Sequence, residues 1–359
     1  MRVAFLNSPL VVVDPEICGG AERVTFLELD HLLDLGVDAR YYVLGSVGQH
    51  PRVEAMCPSQ PAGKTGREYY LWFCERTSGY DIQHSVNAPM LALVSRHPRV
   101  ILHIHNSTTL PYYDLAREKY GRCFFICCSK FIREDFLEKN PSIPEDRCLL
   151  LYNGIDTDLF SPPVRIHAPR PRVVFTGAWI HHKGIFVLLD AFMQLERAGI
   201  EFEGVIAGSA FLYKTSEPVD WQAISDARVR TAAKRLSSVT IREVPSYRRM
   251  PDLYRDADLC VFPSVWQEPF GLGAVEAMSC GLPVVATKVG ALPEIVEDGE
   301  TGILVEPGDP KALAEAIARL IDDESQRRRM GERARRRAVE LFSIRDHVRR
   351  LADIYSSIL

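Results

Sequence analysis

The chain has 359 residues, 47% of them apolar and 25% charged, with a formal net charge of −4 at pH 7. That length exceeds what one hydrophobic core supports, so two domains are expected, and the charge gives no general reason to expect a nucleic-acid partner. Nine cysteines without a C-x-x-C pair suggest neither a disulfide framework nor a zinc knuckle, and no apolar run approaches membrane-spanning length or reads as a leader, so the expectation is a cytoplasmic protein in a reducing compartment.

Arg2–Asn7 reads as a buried strand, followed by a loop over 8–18 and then Gly19-Gly20-Ala21-Glu22 opening a helix with Val24, Leu27, Leu32 and Leu35 on its apolar positions. Glycines at a strand-to-helix junction fit a phosphate-binding turn and equally an ordinary tight connection. Asp38–Leu44 is a second strand, and residues 67–77 form a helix whose aromatic face (Tyr69, Tyr70, Trp72, Phe73) fits a core or docking surface better than a sugar platform. Residues 81–84 and 99–105 read as further parallel strands. The second of these ends in His105-Asn106-Ser107, which puts polar groups at the carboxyl edge where open α/β sheets bind ligands. Residues 124–128 make another short strand, and Asn153-Gly154 supplies a turn that Asp156 can cap.

Residues 162–171 are rich in proline and basic side chains and read as the interdomain linker. A second α/β rhythm starts at 172–177, a strand ending in Gly177, and Lys183-Gly184 leads into a helix over 185–197. A strand over 202–208 precedes an insertion at 209–236 carrying its own helix, then come a strand at 239–244 and a short helix at 250–258. The stretch around which the chain is organised follows. Leu259–Phe262 is a buried strand, a loop holds Glu268, Gly271 to Cys280 reads as a helix closed by Gly281 in the C′ position, and 283–286 is the next strand. Gly271 and Gly273 let backbone approach a ligand at a helix N-terminus, which favours an anion. Residues 310–322 form an amphipathic helix. Arg327-Arg328-Arg329 and the run 333–337 lie on a helix whose basic side reads as a solvated face, with contact to anionic lipid or a polyanionic acceptor as the other reading. A last helix covers 344–359.

The run Pro263-Ser264 through Glu268-Pro269-Phe270-Gly271-Leu272, Glu276-Ala277-Met278, Gly281 and Pro283-Val284-Val285 resembles the E-x7-E element of the retaining glycosyltransferases of family 4, the group that includes glycogen and sucrose synthases. Asn153-Gly154-Ile155-Asp156 and residues 294–308 are similar to the same family. The resemblance implies an α/β chain of GT-B type, two facing Rossmann-like doubly wound domains with a cleft between them. Residues 1–163, completed by helix 344–359, would form the acceptor-side domain, and residues 164–343 the nucleotide-sugar domain.

It also implies roles. Glu276 would hold ribose hydroxyls, Glu268 the donor sugar and Lys183 the diphosphate, with His105 near the anomeric carbon; His105, Lys183 and Glu268 are the catalytic set. Gly19, Gly20, Asn153, Gly177, Phe270, Gly271, Leu272 and Gly273 complete the donor site. The family pattern G-R-L-x-x-x-K-G is matched at Gly177, Lys183 and Gly184, but Ala178 stands where its arginine belongs, and His181 or His182 is the candidate substitute. The implied reaction moves a sugar from a UDP-sugar, or a GDP-sugar, to a hydroxyl acceptor, with the donor's configuration kept and no metal or other cofactor. A small polar metabolite or glycan is the expected acceptor, and the arginine-rich helix keeps a lipid-linked one in view.

Three other classes remain to be weighed. A glycosidase using Glu268 and Glu276 is disfavoured because eight helical positions would span about 12 Å, more than a carboxylate pair of that chemistry tolerates. A nicotinamide oxidoreductase is suggested by Gly271-Leu272-Gly273, yet Glu276 occupies the third glycine and the strand ends well upstream. A non-catalytic sugar-binding module is favoured by Ala178. The triplets Asp156-Thr157-Asp158 and Asp256-Ala257-Asp258 fall inside elements the resemblance already covers, so they carry no expectation of a metal.

Overall fold

The computed structural model describes residues 1–9, 18–44, 50–56, 66–163, 170–211 and 219–359. The chain divides into two units, Met1–Asp156 with Ser343–Leu359, and Thr157–Phe342. The expected divisions lie at 163/164 and 343/344, and of the expected linker over 162–171, residues 164–169 lie outside the described residues, as do 10–17 of the first loop and 212–218 of the insertion.

In the first unit seven strands run parallel: β1 (Arg2–Asn7), β2 (Asp38–Leu44), β3 (Val53–Met56), β4 (Ile82–Val86), β5 (Val100–Ile104), β6 (Phe124–Cys127) and β7 (Cys148–Leu150), in the order β3-β2-β1-β4-β5-β6-β7. The order reverses at β1, which pairs with both β2 and β4, so the carboxyl ends of β1 and β4 form the switch point where such sheets take ligands. Burial on both sheet faces explains why β1, β4 and β5 are almost wholly buried, without the alternation of a half-exposed strand. The C-terminal helix Ile344–Ile358 packs here. Its stripe Ile344, Val348, Leu351 and Tyr355 recurs at helical spacing and joins Val3, Phe5 and Leu29 in the core. Each such burial contributes about 1.5–3 kcal/mol as an upper estimate.

The second unit repeats the scheme with β8 (Arg172–Ala178), β9 (Glu203–Ser209), β10 (Val239–Arg242), β11 (Leu259–Phe262), β12 (Val284–Thr287) and β13 (Gly302–Val305), all parallel, in the order β10-β9-β8-β11-β12-β13. Its switch point lies between β8 and β11. Helix Ile185–Arg197 buries Ile185, Leu188, Leu189, Phe192 and Leu195 against Val173 and Phe175, and the insertion contributes helix Val219–Ala233.

The basic helix Glu324–Phe342 divides its arginines: Arg328, Arg329, Arg333 and Arg336 are exposed, as a solvated face requires, whereas Arg327, Arg335 and Arg337 turn to backbone carbonyls. Arg327 is buried and donates to the carbonyls of Leu320 and Ile321, while Arg337 donates to those of Glu294 and Ile295. Arg335 Nη1 lies 2.8–2.9 Å from the carbonyls of Thr157, Phe160 and Ser279 and from Ser279 Oγ. These guanidiniums close the carbonyl ends of neighbouring segments.

Candidate active site

The loop after β8 and the loop after β11 meet at the switch point of the second unit, and there the two charged residues singled out in the sequence join. Lys183 Nζ donates to Glu268 Oε1 at 2.6 Å and to Oε2 at 2.9 Å. Ser264 Oγ donates to the same Oε1 at 2.8 Å, so the carboxylate is held from two sides. The lysine side chain is 33% exposed and the glutamate 10%, which leaves the ammonium reachable from solvent while the carboxylate sits largely behind it. Both loops are tied at the backbone: Val265 N donates to His182 O at 3.0 Å, Thr287 Oγ1 to Ser264 O at 2.6 Å and Ala291 N to Glu268 O at 2.8 Å. Gln267 Oε1 accepts from Gly290 N at 2.6 Å.

Four positions beyond Glu268, helix Leu272–Ser279 begins. Gly271 forms its N-cap at φ +107°, a conformation only glycine takes without strain, and a Cβ there would also press on Leu292 at 2.9 Å. No side chain caps this end, so its first amides face an open N-terminus suited to an anion. At the other end Gly281 N bonds to Met278 O and Leu282 N to Ala277 O, the Schellman closure expected from Gly281. Phe270 is buried and meets Phe342 edge-on, which anchors the loop between glutamate and helix. Gly273 packs under Phe262, where a Cβ would meet the ring at 2.9 Å.

Glu276 projects from the same helix toward Tyr254, whose hydroxyl lies 3.4 Å from Glu276 Oε2 and 2.9 Å from Thr176 Oγ1. Burial, with Glu276 adding to it, pushes the Tyr254 phenol well above its ordinary range, so it remains a neutral donor. The two glutamates therefore have separate partners. Since only the second lies on the helix, the 12 Å estimate for an eight-residue helical separation does not describe them. Gly177 is the penultimate residue of β8, whose last residue, Ala178, is 1% exposed, and the fully buried Trp179 follows. His181 and His182 are exposed, His182 resting against Trp266 with ring centroids 5.0 Å apart.

Gly19, Gly20, His105 and Asn153 belong to the first unit. Gly19 is the extended N-cap of helix Gly20–Asp34, and a Cβ there would strike the buried Glu22 carboxylate at 2.5 Å. His105 follows β5 at the carboxyl edge; its backbone N–H donates to Asn87 Oδ1 at 2.9 Å, and the side chain is 5% exposed with Nδ1 lacking a partner. Burial drives its pKa down to about 3. Asn153 is buried with Oδ1 unpartnered. Gly154 is not in the left-handed region. What demands glycine is the C-terminal helix, whose Ile344 Cα and His347 Cβ would each lie 2.8 Å from an added Cβ. The turn expected from Asn-Gly is thus a close approach.

Among the described residues, no group of three His, Cys, Asp or Glu side chains is arranged to hold a metal ion, and no helix is long and apolar enough to cross a membrane. Sequence reasoning missed Tyr254 and the grip of Ser264 on Glu268. The serine was visible as Pro263-Ser264 four positions before the glutamate, whereas nothing local marked the tyrosine.

Residues 156–337 match the family described as Glycosyl transferases group 1, and residues 18–159 match Glycosyltransferase Family 4. The chain belongs to the group 1 glycosyl transferase family. Among curated members it is 30% identical over 250 residues to the α-maltose-1-phosphate synthase of Mycolicibacterium smegmatis, covering 65% of this chain and 62% of that protein. It is 32% identical over 221 residues to the lipopolysaccharide core biosynthesis mannosyltransferase LpsB of Rhizobium meliloti, covering 58% and 61%. The matched region spans about three fifths of the length of these relatives. The fold, two Rossmann-like units of GT-B type, is shared with Anabaena HepE in complex with UDP and glucose (TM-score 0.79, 21% identity, 99% of this chain and 100% of that one). It is shared equally with sucrose-phosphate synthase of Thermosynechococcus elongatus (TM-score 0.79, 22% identity, 99% and 98%).

Proposed function

We propose that this family member is a retaining glycosyltransferase that moves a sugar from a nucleoside-diphosphate donor to a hydroxyl acceptor, without a metal. The observation that carries the reading is the Lys183–Glu268 pair beside the open N-terminus of helix Leu272–Ser279. A departing diphosphate needs positive charge and N–H dipoles already aimed at it, and this corner of the second unit offers both. Lys183 can turn from Glu268 to phosphate; the carboxylate so released accepts from donor-sugar hydroxyls, while Ser264 holds it in place. Glu276 takes the ribose hydroxyls. Ala178 leaves no guanidinium here, so Lys183 and the helix amides carry the diphosphate charge, and the exposed His181 and His182 are the nearest candidates to share it.

In the step itself the bond between the anomeric carbon and the diphosphate oxygen breaks, its electron pair leaving with the nucleoside diphosphate. The acceptor oxygen bonds to the same face of that carbon, and its proton goes to the departing phosphate. A glycan or small polar metabolite is the first acceptor class to test, and a lipid-linked acceptor, which the exposed Arg328, Arg329, Arg333 and Arg336 keep in view, is the second. A UDP-sugar is the first donor to test, because a solved protein of this fold holds UDP-glucose, and GDP-sugars are the second.

Isothermal titration against UDP-, GDP- and ADP-sugars, NAD and free sugars, followed by a mass-spectrometric acceptor screen, tests the reading. Donor binding and a glycosylated product are expected. Binding without transfer to any acceptor would point to the non-catalytic module, and binding of NAD alone to the oxidoreductase.

A further inference from the structure

Behind His105 the first unit carries a chain of buried polar rings that ends on the C-terminal helix. Tyr355 Oη lies 2.7 Å from His84 Nδ1, and His84 Nε2 lies 3.2 Å from His103 Nδ1. His103 then tilts over His105 with ring centroids 4.1 Å apart. His84 and His103 are fully buried, and Phe5 stacks on His84 at 4.5 Å. The other ionisable side chains alongside are Glu28 and His347, paired at 2.8 Å. None of these residues is used by the reaction as described above.

The chain has a direction. Glu28 Oε2 has no hydrogen-bond partner, so the Tyr355 proton does not go there, and His84 Nδ1 is the acceptor left to it. Reversing that bond would leave the Tyr355 hydroxyl proton buried without an acceptor, whereas in the forward sense the terminal proton, on His103 Nε2, belongs to a ring whose centroid lies 4.1 Å from that of His105. A His84 ring that accepts at Nδ1 carries its proton on Nε2 and donates to His103 Nδ1, and a His103 ring that accepts at Nδ1 carries its own proton on Nε2. His103 Nε2 and His105 Nδ1 are the buried unpartnered nitrogens of these two adjacent, tilted rings. An N–H dipole on the first favours a lone pair on the second.

We propose that Tyr355, His84 and His103 are positioning residues that fix His105 as its Nε2–H tautomer, so that His105 offers the substrate a hydrogen-bond donor and never a base. Burial holds His84 and His103 well below the ordinary imidazole range and His105 at about 3, so all three stay neutral and the polarity persists at physiological pH. The inference rests on His105 serving the transfer reaction. As a donor, His105 is withdrawn as a candidate base for the transfer.

Tyr355→Phe keeps the buried ring and removes the source of the polarity, and His103→Leu interrupts the chain nearer its end. Long-range ¹H–¹⁵N spectra of histidine-labelled, ligand-free protein at pH 7 should show wild-type His105 protonated on Nε2, with both tautomers populated in either variant. In transfer assays kcat should fall about tenfold in Tyr355→Phe, with KM for the nucleotide-sugar within about twofold of wild type. A wild-type His105 protonated on Nδ1, or a Tyr355→Phe spectrum with an unchanged tautomer ratio, would overturn the proposal. The spectra need no turnover. A tautomer shift in a chain that transfers no sugar therefore supports the relay while the functional reading falls.

Discussion

Lys183→Ala removes the ammonium that both oxygens of Glu268 share at 2.6 and 2.9 Å, leaving the carboxylate with the Ser264 hydroxyl at 2.8 Å. Breaking a fully buried ion pair costs about 3–5 kcal/mol, much of it the desolvated charge left behind. Here the lysine side chain is a third exposed, so water enters as it leaves, and about 1–2 kcal/mol is the expected stability loss. Donor binding loses a charge-assisted phosphate contact, about 1.5–3 kcal/mol, or roughly 10- to 150-fold in Kd. The double variant Lys183→Ala/Glu268→Gln separates the two effects: neutralising the stranded carboxylate should restore most of the stability and none of the affinity. Urea denaturation followed by fluorescence reads the first quantity, and titration with the accepted nucleotide-sugar reads the second. Wild-type stability and wild-type donor affinity in Lys183→Ala would refute the reasoning.

Further outcomes follow from other parts of the structure. Glu276→Ala should raise donor Kd about 10-fold or more through lost ribose hydrogen bonds, with free-sugar binding unaffected, as titration calorimetry would show. Gly154→Ala should weaken docking of helix Ile344–Ile358, because the added Cβ meets Ile344 Cα at 2.8 Å; hydrogen exchange would speed first in that helix. The folded-state pKa values of His84, His103 and His105 lie below the unfolded value, so the unfolded chain binds more protons in the acid range. Stability should thus be full above about pH 6.5 and fall as pH drops toward 3, by up to about 1.4 kcal/mol per pH unit for each histidine. Glu22, whose carboxyl is raised chiefly by burial, acts in the opposite sense. Urea midpoints at pH 7 and pH 5, with His103→Leu flattening the slope, test this. Transfer should persist in EDTA, and complete loss restored by Mg²⁺ or Mn²⁺ would contradict metal independence.

Much of the architecture was legible because parallel strands buried on both faces read as short continuous apolar runs. β2 and β11 have the expected bounds, and helix Leu272–Ser279 ends at the glycine expected to close it. β3 escaped because Val53–Met56 is an edge strand only partly buried, with a weak apolar signal. Lys183 and Glu268 lie 85 positions apart, and only the sheet order, which places β11 beside β8, brings them to one point. The arginine-rich helix was legible only in part, for a related reason. Charge in a sequence reads as solvent, whereas Arg327, Arg335 and Arg337 find their partners in backbone carbonyls that no side-chain pattern reveals. The histidine chain joins residues 84, 103 and 355, and an unaligned sequence shows such a chain only as scattered rings.

The central claim is transfer with retention. Proton NMR of the first product formed from an α-linked nucleotide-sugar, read at the anomeric coupling constant before any re-equilibration, measures it directly. The account predicts an α-glycoside, because no side chain is assigned as base on the opposite face and His105 is held neutral with its proton on Nε2. A β-linked first product would contradict it.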